Sequence, residues 1–185
     1  REKRFRPGVF RRSTTLTEAD EAVAELASRA EGDETLGRLH ALNRLIHEEL
    51  DFRPGATDST TTAAQVAAMG AGVCQDYAHL FIAAARAIDV PARYVAGYLH
   101  DPEAPLAETH AWAEAHVEGL GWVGFDPVHD LCPAEQHVRL STGFDASDAA
   151  PIRGTLAPGS EEEMTVEVSV RPWEETVAGS QSQQG

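Results

Sequence analysis

The spacing of apolar residues changes near the middle of the chain, and this change constrains the fold more than any other feature. Up to Ile88, apolar side chains recur at three- and four-residue steps, which is typical of amphipathic helices. After Pro91 the chain has the pattern of strands, and the last of them, residues 164–170, alternates strictly between apolar and polar side chains. Helices followed by antiparallel strands predict an α+β fold. A length of 185 residues favours one domain.

Four helices are predicted before the change in spacing. Thr17 followed by Asp20 resembles a capping arrangement for the first helix, and Asp33 can cap the second. The third is short and rich in alanine, and it leads into the Gly-Ala-Gly turn before Cys74. Gly32 ends the first helix, and the apolar stripe of the second runs from Leu36 to Leu50, before Arg53-Pro54-Gly55. The third is expected at about residues 62–69 and the fourth at residues 75–88.

Four strands are predicted after the change, at residues 93–99, 110–118, 122–126 and 164–170. The glycines on either side of Leu120 predict a short hairpin between the second strand and the third. Residues 17–172 therefore form the predicted domain. The basic residues 1–16 are expected to be a flexible arm or a linker, and the Ser-, Gln- and Gly-rich residues 173–185 a disordered tail.

Charge and composition exclude several classes of partner. The net charge is −15, and nearly half of the basic groups lie in the first 12 residues, so the rest of the chain is strongly acidic. Such a surface repels nucleic acid and anionic lipids, and no apolar run approaches the ~20 residues that span a bilayer. Two cysteines and no secretory signal favour a cytoplasmic location. Because the chain does not begin with Met, we expect it to be a piece of a longer protein, with an upstream domain missing.

Cys74 is the candidate nucleophile. It follows a glycine turn and opens a predicted helix, where unpaired N–H groups and the helix dipole favour a thiolate. A nucleophilic thiol needs an imidazole to take its proton and a third group to orient that ring. His110 and Asp126 lie on the two hairpin strands, at offsets from Leu120 that require a diagonal contact or a bulge.

Four motifs in this order resemble the transglutaminase-like superfamily, in particular the bacterial transglutaminase core domain. They are GVCQDYA at residues 72–78, PARYVAGY at 91–98, THAW at 109–112 and GWVGFDP at 121–127. The resemblance covers roughly residues 35–130. It implies a papain-like fold, in which the helix that bears the nucleophile packs on an antiparallel sheet. It also implies that Cys74 is the nucleophile, His110 the general base and acid, and Asp126 the residue that orients the imidazole.

The function that follows is cysteine-dependent acyl transfer on peptide or protein amides, through a thioester acyl-enzyme. Water as the second nucleophile gives a protease or amidase, whereas an amine gives a glutamine acyl transferase, and the sequence leaves both open. The alternative is a non-catalytic protein-interaction domain that retains the fold. This alternative predicts a damaged Cys-His-Asp set, and the three residues are intact.

Four further residues are candidates for the substrate cleft. Trp112 and Trp122 can wall the cleft or fill the core, and Trp112 has the same strand parity as His110, so it could shield the pair from water. Asp76 is expected to cap its helix or anchor a loop. Gln65 is a candidate second oxyanion donor, with an exposed helix glutamine as the simpler interpretation.

No metal or cofactor is expected. His129, Cys132 and His137 have a spacing that could ligate zinc, but no second Cys-x-x-Cys pair accompanies them. Pro133 and Glu135 indicate a plain loop instead. No phosphate-binding glycine loop or dinucleotide fingerprint is present either.

Overall fold

The computed structural model describes residues 6–100, 103 and 107–150. Its helices are α1 (Glu21–Arg29), α2 (Thr35–Glu49), α3 (Ala63–Met69), α4 (Cys74–Ala87) and α5 (Ala146–Ala149), with 3₁₀ turns at Pro7–Arg11 and Thr15–Thr17. Its strands are β1 (Asp51–Phe52), β2 (Ala71–Gly72), β3 (Ala92–Leu99), β4 (Glu108–Val117), β5 (Gly121–Phe125) and β6 (His137–Gly143). Within the described part, no helix is long and apolar enough to cross a membrane.

Four strands form one antiparallel sheet in the order β5-β4-β3-β6. The predicted hairpin joins β4 to β5, and its centre lies at Gly119 because Val117 pairs with Gly121. Both glycines have a positive φ, a conformation that L side chains rarely adopt and that this tight turn requires. The α+β architecture predicted from the change in spacing is confirmed.

Helix α4 is the centre of the core. It packs between α1, α2 and α3 on one side and the sheet on the other, and every residue from 76 to 86 is buried. A helix enclosed on all sides has to be apolar around its whole circumference, which explains its Leu-Phe-Ile-Ala-Ala-Ala run. Strand β4, which packs against it, contributes the small side chains of Ala111, Ala113 and Ala115 to the core. These small side chains let the helix lie close to the sheet.

The observed helix bounds agree with the predicted ones, but two caps differ. The N-cap of α1 is Asp20, whose carboxylate accepts from the N–H of Val23 at 3.0 Å. Thr17 instead belongs to a 3₁₀ turn and bonds to Thr14. The N-cap of α2 is Glu34, with no side-chain hydrogen bond, so Asp33 does not cap it.

The predicted flexible arm, residues 1–16, is ordered over residues 7–16. Phe10 is buried, and its ring stacks on Phe144 and meets the edge of Trp122. The carbonyl of Phe10 accepts from Nε of Arg86 at 2.9 Å. The sequence analysis considered only the basic charge of these residues. The buried ring of Phe10 and its backbone carbonyl hold them against the domain.

Four elements, β1, β2, β6 and α5, were not predicted, and two predictions lie outside the described residues. Strand β6 forms an edge of the sheet, where Leu140 is an extra residue between the partners of Ala96 and Gly97. Helix α5 follows it directly. The irregular pairing hides the alternation that would have revealed β6. The predicted strand at residues 164–170 and the predicted tail at 173–185 lie beyond the part that the structure describes.

Gly97 is the position at which a single methyl group would do most damage to the sheet. A Cβ there would lie 2.2 Å from the carbonyl oxygen of Val138 and 2.7 Å from the Trp112 ring. We expect Gly97→Ala to lower the free energy of unfolding by about 2–3 kcal/mol, as overpacking does, measured by urea denaturation. Gly37→Ala is the matched control, because a Cβ on this exposed turn of α2 meets nothing closer than 3.9 Å. It should stabilise by roughly 0.5–1 kcal/mol. Equal effects from the two variants would contradict the crowding at Gly97.

Candidate active site

Cys74 is the first residue of α4, as predicted. Strands β1 and β2 pair in parallel just before it, with Phe52 opposite Gly72, and they fix the approach of the chain to the helix. Because Cys74 is in the first turn, its N–H has no acceptor within the helix. The residue is partly buried against the core. This places the sulfur and a free backbone donor at the positive end of a buried helix.

Asp76 holds this turn in place. Its buried carboxylate accepts from the N–H of Val73 at 2.8 Å and from the hydroxyl of Thr57 at 2.6 Å. The first bond caps the helix, and the second ties down the loop between β1 and α3. The expected cap-and-anchor role is therefore what the geometry shows, and the side chain does not line a cleft.

His110 and Asp126 come together by the diagonal contact that the spacing requires. Asp126 directly follows Phe125, which pairs with Ala113, so the position opposite Asp126 is that of Trp112. His110 lies two residues before Trp112 on β4. The Nε2 of His110 lies 2.7 Å from Oδ2 of Asp126. The imidazole is nearly buried and the carboxylate is fully buried, at 7% and 0% side-chain exposure. The second ring nitrogen of His110, Nδ1, is the one left for the sulfur of Cys74, with which the ring also hydrogen-bonds.

The electrostatics keep His110 charged. Burial alone would lower its pKa, but the hydrogen bonds and charges of Asp126 and Cys74 outweigh burial and raise the pKa of His110 to about 9. Burial likewise works to raise the pKa of Asp126, yet the His110 cation and three imidazole hydrogen bonds hold that pKa well below its usual value. At neutral pH the ring is therefore an imidazolium between an anionic carboxylate and the sulfur.

Three imidazoles converge on one oxygen of Asp126. Besides His110, Nδ1 of His129 lies 2.8 Å and Nε2 of His137 lies 3.0 Å from the same Oδ2. The other oxygen, Oδ1, accepts from the N–H of Val128 at 3.1 Å. We refer to Asp126 with its three histidines as the imidazole cluster. Sequence analysis noted His129 and His137 only as weak zinc ligands, since nothing in their spacing showed that both face Asp126.

The same atoms raise the question of a metal site. Ligand atoms of His110, Asp126 and His137 lie within 4.8 Å of one another. A histidine that binds a metal usually donates its other ring N–H to a neighbour. Nδ1 of His137 does the reverse and accepts from the N–H of Ala134 at 3.2 Å, so its hydrogen is on Nε2. The donor set of His137 therefore fits a hydrogen bond to the carboxylate, and Cys132 is outside this group among the described residues.

The two tryptophans have different positions. Trp112 is buried, its ring stacks beside His110 with centroids 6.1 Å apart, and its edge meets His137. It packs beside the imidazole cluster, as the strand parity indicates. Trp122 pairs instead at the far end of β4, opposite His116 and roughly 20 Å from His110 along the strand. The structure does not bring Trp122 to the site.

Gln65 is also outside the site. Its side-chain oxygen accepts from the N–H of Thr62 at 2.9 Å and completes the capping box of α3. The side chain is exposed, so the simpler interpretation holds. No second oxyanion donor comes from this helix.

Comparison with known proteins identifies the family. The family model of the transglutaminase-like superfamily matches residues 21–127. The chain belongs to the transglutaminase-like superfamily. The superfamily match covers α1 to β5 and the residue after Asp126, and so includes all four motifs on which the resemblance was based.

Curated relatives of this superfamily member include two uncharacterized mycobacterial proteins and one enzyme of Pseudomonas aeruginosa. An uncharacterized protein of Mycobacterium leprae is 32% identical over 164 residues, 85% of this chain and 58% of that protein. An uncharacterized protein of Mycobacterium tuberculosis is 33% identical over 74% of this chain and 47% of its own length. The chain thus spans about half the length of these relatives. The protein-glutamine gamma-glutamyltransferase of Pseudomonas aeruginosa is 29% identical over 56% of this chain and 16% of that enzyme.

Solved structures of this superfamily agree with the fold. A candidate cysteine protease from Cytophaga hutchinsonii aligns with a TM-score of 0.66 and 34% identity, over 77% of this chain and 48% of that one. The periplasmic domain of TgpA from Pseudomonas aeruginosa aligns with a TM-score of 0.52 at 23% identity, over 67% and 47% of the two chains. The predicted papain-like arrangement, with the nucleophile helix on an antiparallel sheet, is confirmed.

Proposed function

We propose that this domain is a cysteine-dependent acyl-transfer enzyme with Cys74, His110 and Asp126 as its catalytic triad. The observation that carries the proposal is the 2.7 Å hydrogen bond between the imidazole of His110 and the buried carboxylate of Asp126, with Cys74 at the start of α4 among the groups that act on His110. The charge on His110 supports it, because an imidazolium beside sulfur stabilises the thiolate. The superfamily contains both a candidate cysteine protease and a glutamyltransferase among the proteins similar to this chain.

The first half-reaction forms a thioester. The thiolate of Cys74 attacks the carbonyl carbon of a peptide or protein amide, and the carbonyl π electrons move onto oxygen. The N–H of Cys74, which has no acceptor in its helix, donates to that oxyanion. As the tetrahedral adduct collapses, the C–N bond breaks and Nδ1 of His110 gives its proton to the leaving nitrogen.

The second half-reaction regenerates the thiolate. His110, now neutral, takes a proton from water or from an amine, which attacks the thioester carbon. The second tetrahedral adduct collapses, its C–S bond breaks, and the thiolate of Cys74 leaves beside the reprotonated His110. Water gives a carboxylic acid, and an amine gives a new amide. Asp126 holds the ring in both steps through its bond to Nε2, so that Nδ1 stays directed at the reacting atoms.

Alkylation tests the ion pair without a known substrate. We expect iodoacetate to label Cys74 rapidly at neutral pH, and the rate to fall as the pH rises through about 9, where His110 loses its proton. His110 then loses the charge that both stabilises the thiolate and attracts the anionic reagent. Each cysteine is followed by mass spectrometry after timed quenching.

Cys132 is the internal control. It is exposed and outside the site, and burial of its sulfur raises the pKa of its thiol, so its labelling increases steadily toward high pH. His110→Ala should give Cys74 the same profile as Cys132. If wild-type Cys74 labels no faster than Cys132 at pH 6–7, the proposed function fails and a binding domain becomes the better interpretation.

A further inference from the structure

The imidazole cluster contains more histidine than a Cys-His-Asp triad uses. Three ring nitrogens lie within 3.0 Å of Oδ2 of Asp126, and only that of His110 is accounted for by the proposed mechanism. A carboxylate oxygen offers about two lone-pair sites, so a third donor is not needed to satisfy it. The additional donors must therefore act on the position or the charge of the carboxylate.

His137 is the better placed of the two additional donors. Its side chain is 2% exposed, whereas that of His129 is 41% exposed. Its ring is fixed on both sides, because Nδ1 accepts from the backbone N–H of Ala134 while Nε2 faces Asp126. Packing against the edge of the Trp112 ring, with centroids 5.3 Å apart, fixes the plane. A hydrogen bond from a buried, locked donor is strong, and one at an exposed site is weakened by water.

The two bonds of His137 also settle its protonation. A ring nitrogen that accepts from a backbone N–H carries no hydrogen, so His137 is the neutral tautomer with its hydrogen on Nε2. In this form it donates to Asp126 without adding a positive charge. His110 can then remain the cation that faces the carboxylate at this site.

We propose that His137 is a positioning residue that holds the Asp126 carboxylate in line with His110, so that the working unit is a Cys74–His110–Asp126–His137 relay. This inference rests on the proposed function and deepens it. The relay joins four separate elements: α4, β4, the turn after β5, and the first residue of β6. Strand β6 thereby becomes part of the active site, although it lies across β3 from β4.

The relay has a consequence for His110. The ionisable groups that meet His110 are Cys74 from α4, Asp126 and His129 from the segment after β5, and His137 from β6. Each N–H that donates to Oδ2 of Asp126 reduces the negative charge that this oxygen offers to His110. Without the His137 donor, Oδ2 should stabilise the His110 cation more strongly, so the imidazolium should be harder to deprotonate. The Asp126 carboxylate should also be less well oriented.

Two variants separate these effects from simple misfolding. His137→Phe keeps an aromatic ring beside Trp112 but removes the donor, and His137→Gln keeps an N–H at a comparable reach. We expect His137→Phe to slow acyl-enzyme formation roughly 10- to 100-fold through misorientation. The fall of the iodoacetate labelling rate at Cys74, which we call the high-pH limb, should also move to higher pH. His137→Gln should restore most of the rate of acyl-enzyme formation and bring the high-pH limb back to its wild-type position. His116→Gln, on β4 against Trp122, controls for loss of a sheet histidine outside the site.

The possible results are distinguishable. Suppose that wild-type Cys74 is rapidly labelled, and that His137→Phe forms the acyl-enzyme at the wild-type rate with the same high-pH limb of labelling. The relay is then wrong while the triad stands. If both His137 variants lose rate equally with the limb unmoved, the role is structural and the relay is again wrong. A Cys74 that is slow in the wild type defeats the proposed function itself.

A measurement on the unmodified protein covers the case in which His137→Phe does not fold. Long-range ¹H–¹⁵N spectra of the histidine rings report which nitrogen carries hydrogen. The relay requires His137 to be the neutral Nε2–H tautomer at pH 7, alongside a doubly protonated His110. The opposite tautomer at His137 would overturn the inference.

Discussion

Replacing Cys74 by Ala should abolish formation of an acyl-enzyme, with a fall in turnover on the order of 10⁶-fold when the nucleophile is removed. p-Nitrophenyl acetate serves as the acyl donor, because its ester acylates thiolates without side-chain recognition. The wild type should release a burst of p-nitrophenolate equal to the enzyme concentration and gain one acetyl group at Cys74, seen by peptide mass spectrometry. The reason is geometric, since among the described residues Cys74 supplies the sulfur that meets His110.

The matched control is Cys132→Ala, which removes the other thiol of the chain. It should keep the full burst, because Cys132 is exposed and does not belong to the group of His110, Asp126 and His137 among the residues described. A burst that persists in Cys74→Ala, or that disappears in Cys132→Ala, would place the nucleophile elsewhere. Circular dichroism of both variants confirms that the fold is unchanged.

Replacing Arg86 by Ala should produce the largest loss of stability among single substitutions in the buried polar network, about 3–4 kcal/mol. The guanidinium near the end of α4 is buried and donates to four groups from separate parts of the chain: the carbonyls of Phe10, Ala92 and Phe144 and the hydroxyl of Thr17. Without it, these acceptors remain buried with fewer donors. Urea denaturation measures the effect, and a protein of ordinary stability, roughly 5–15 kcal/mol, would lose a large share of its margin.

Arg44→Ala is the matched control for Arg86. Its guanidinium is 68% exposed and pairs with Asp130 at 3.7 Å, so its loss should change stability by less than about 1 kcal/mol. Equal losses from the two arginines would contradict the structural role of the buried network. The Arg86 variant should also expose Phe10, because the carbonyl of Phe10 loses its donor, so limited proteolysis near residues 7–11 should become faster.

Local patterns were enough to predict the four main helices and the strands that carry His110 and precede Asp126. Helix α4 shows a long apolar run closed by a proline, and the hairpin is marked by glycines whose positive φ the turn requires. Counting residues across that hairpin from Leu120 left a diagonal contact and a bulge both open for His110 and Asp126, and the register centred on Gly119 gives the diagonal contact. These features depend on contacts between residues that are near in sequence or joined by a tight turn.

The features that were missed depend on long-range contacts. Arg86 and Phe10 are 76 residues apart, and no local signal couples a basic terminus to the end of a distant helix. His137 was noticed for its spacing to His129, but its role needs strand β6, whose extra residue at Leu140 disturbs the alternating pattern. Both tryptophans lie on strands of the predicted hairpin, yet the register of β4 with β5 puts Trp112 beside His110 and Trp122 at the opposite end of β4.

The alanine face of β4 has a consequence for temperature and entropy. Alanine has no side-chain rotamers, so the interface between α4 and Ala111, Ala113 and Ala115 cannot rearrange by rotation about χ angles. The strand that carries the imidazole of His110 therefore loses almost no side-chain entropy at these three positions when the core forms. On the strand side of this interface, no change of side-chain rotamer at these positions can alter the distance to the helix that carries the sulfur of Cys74.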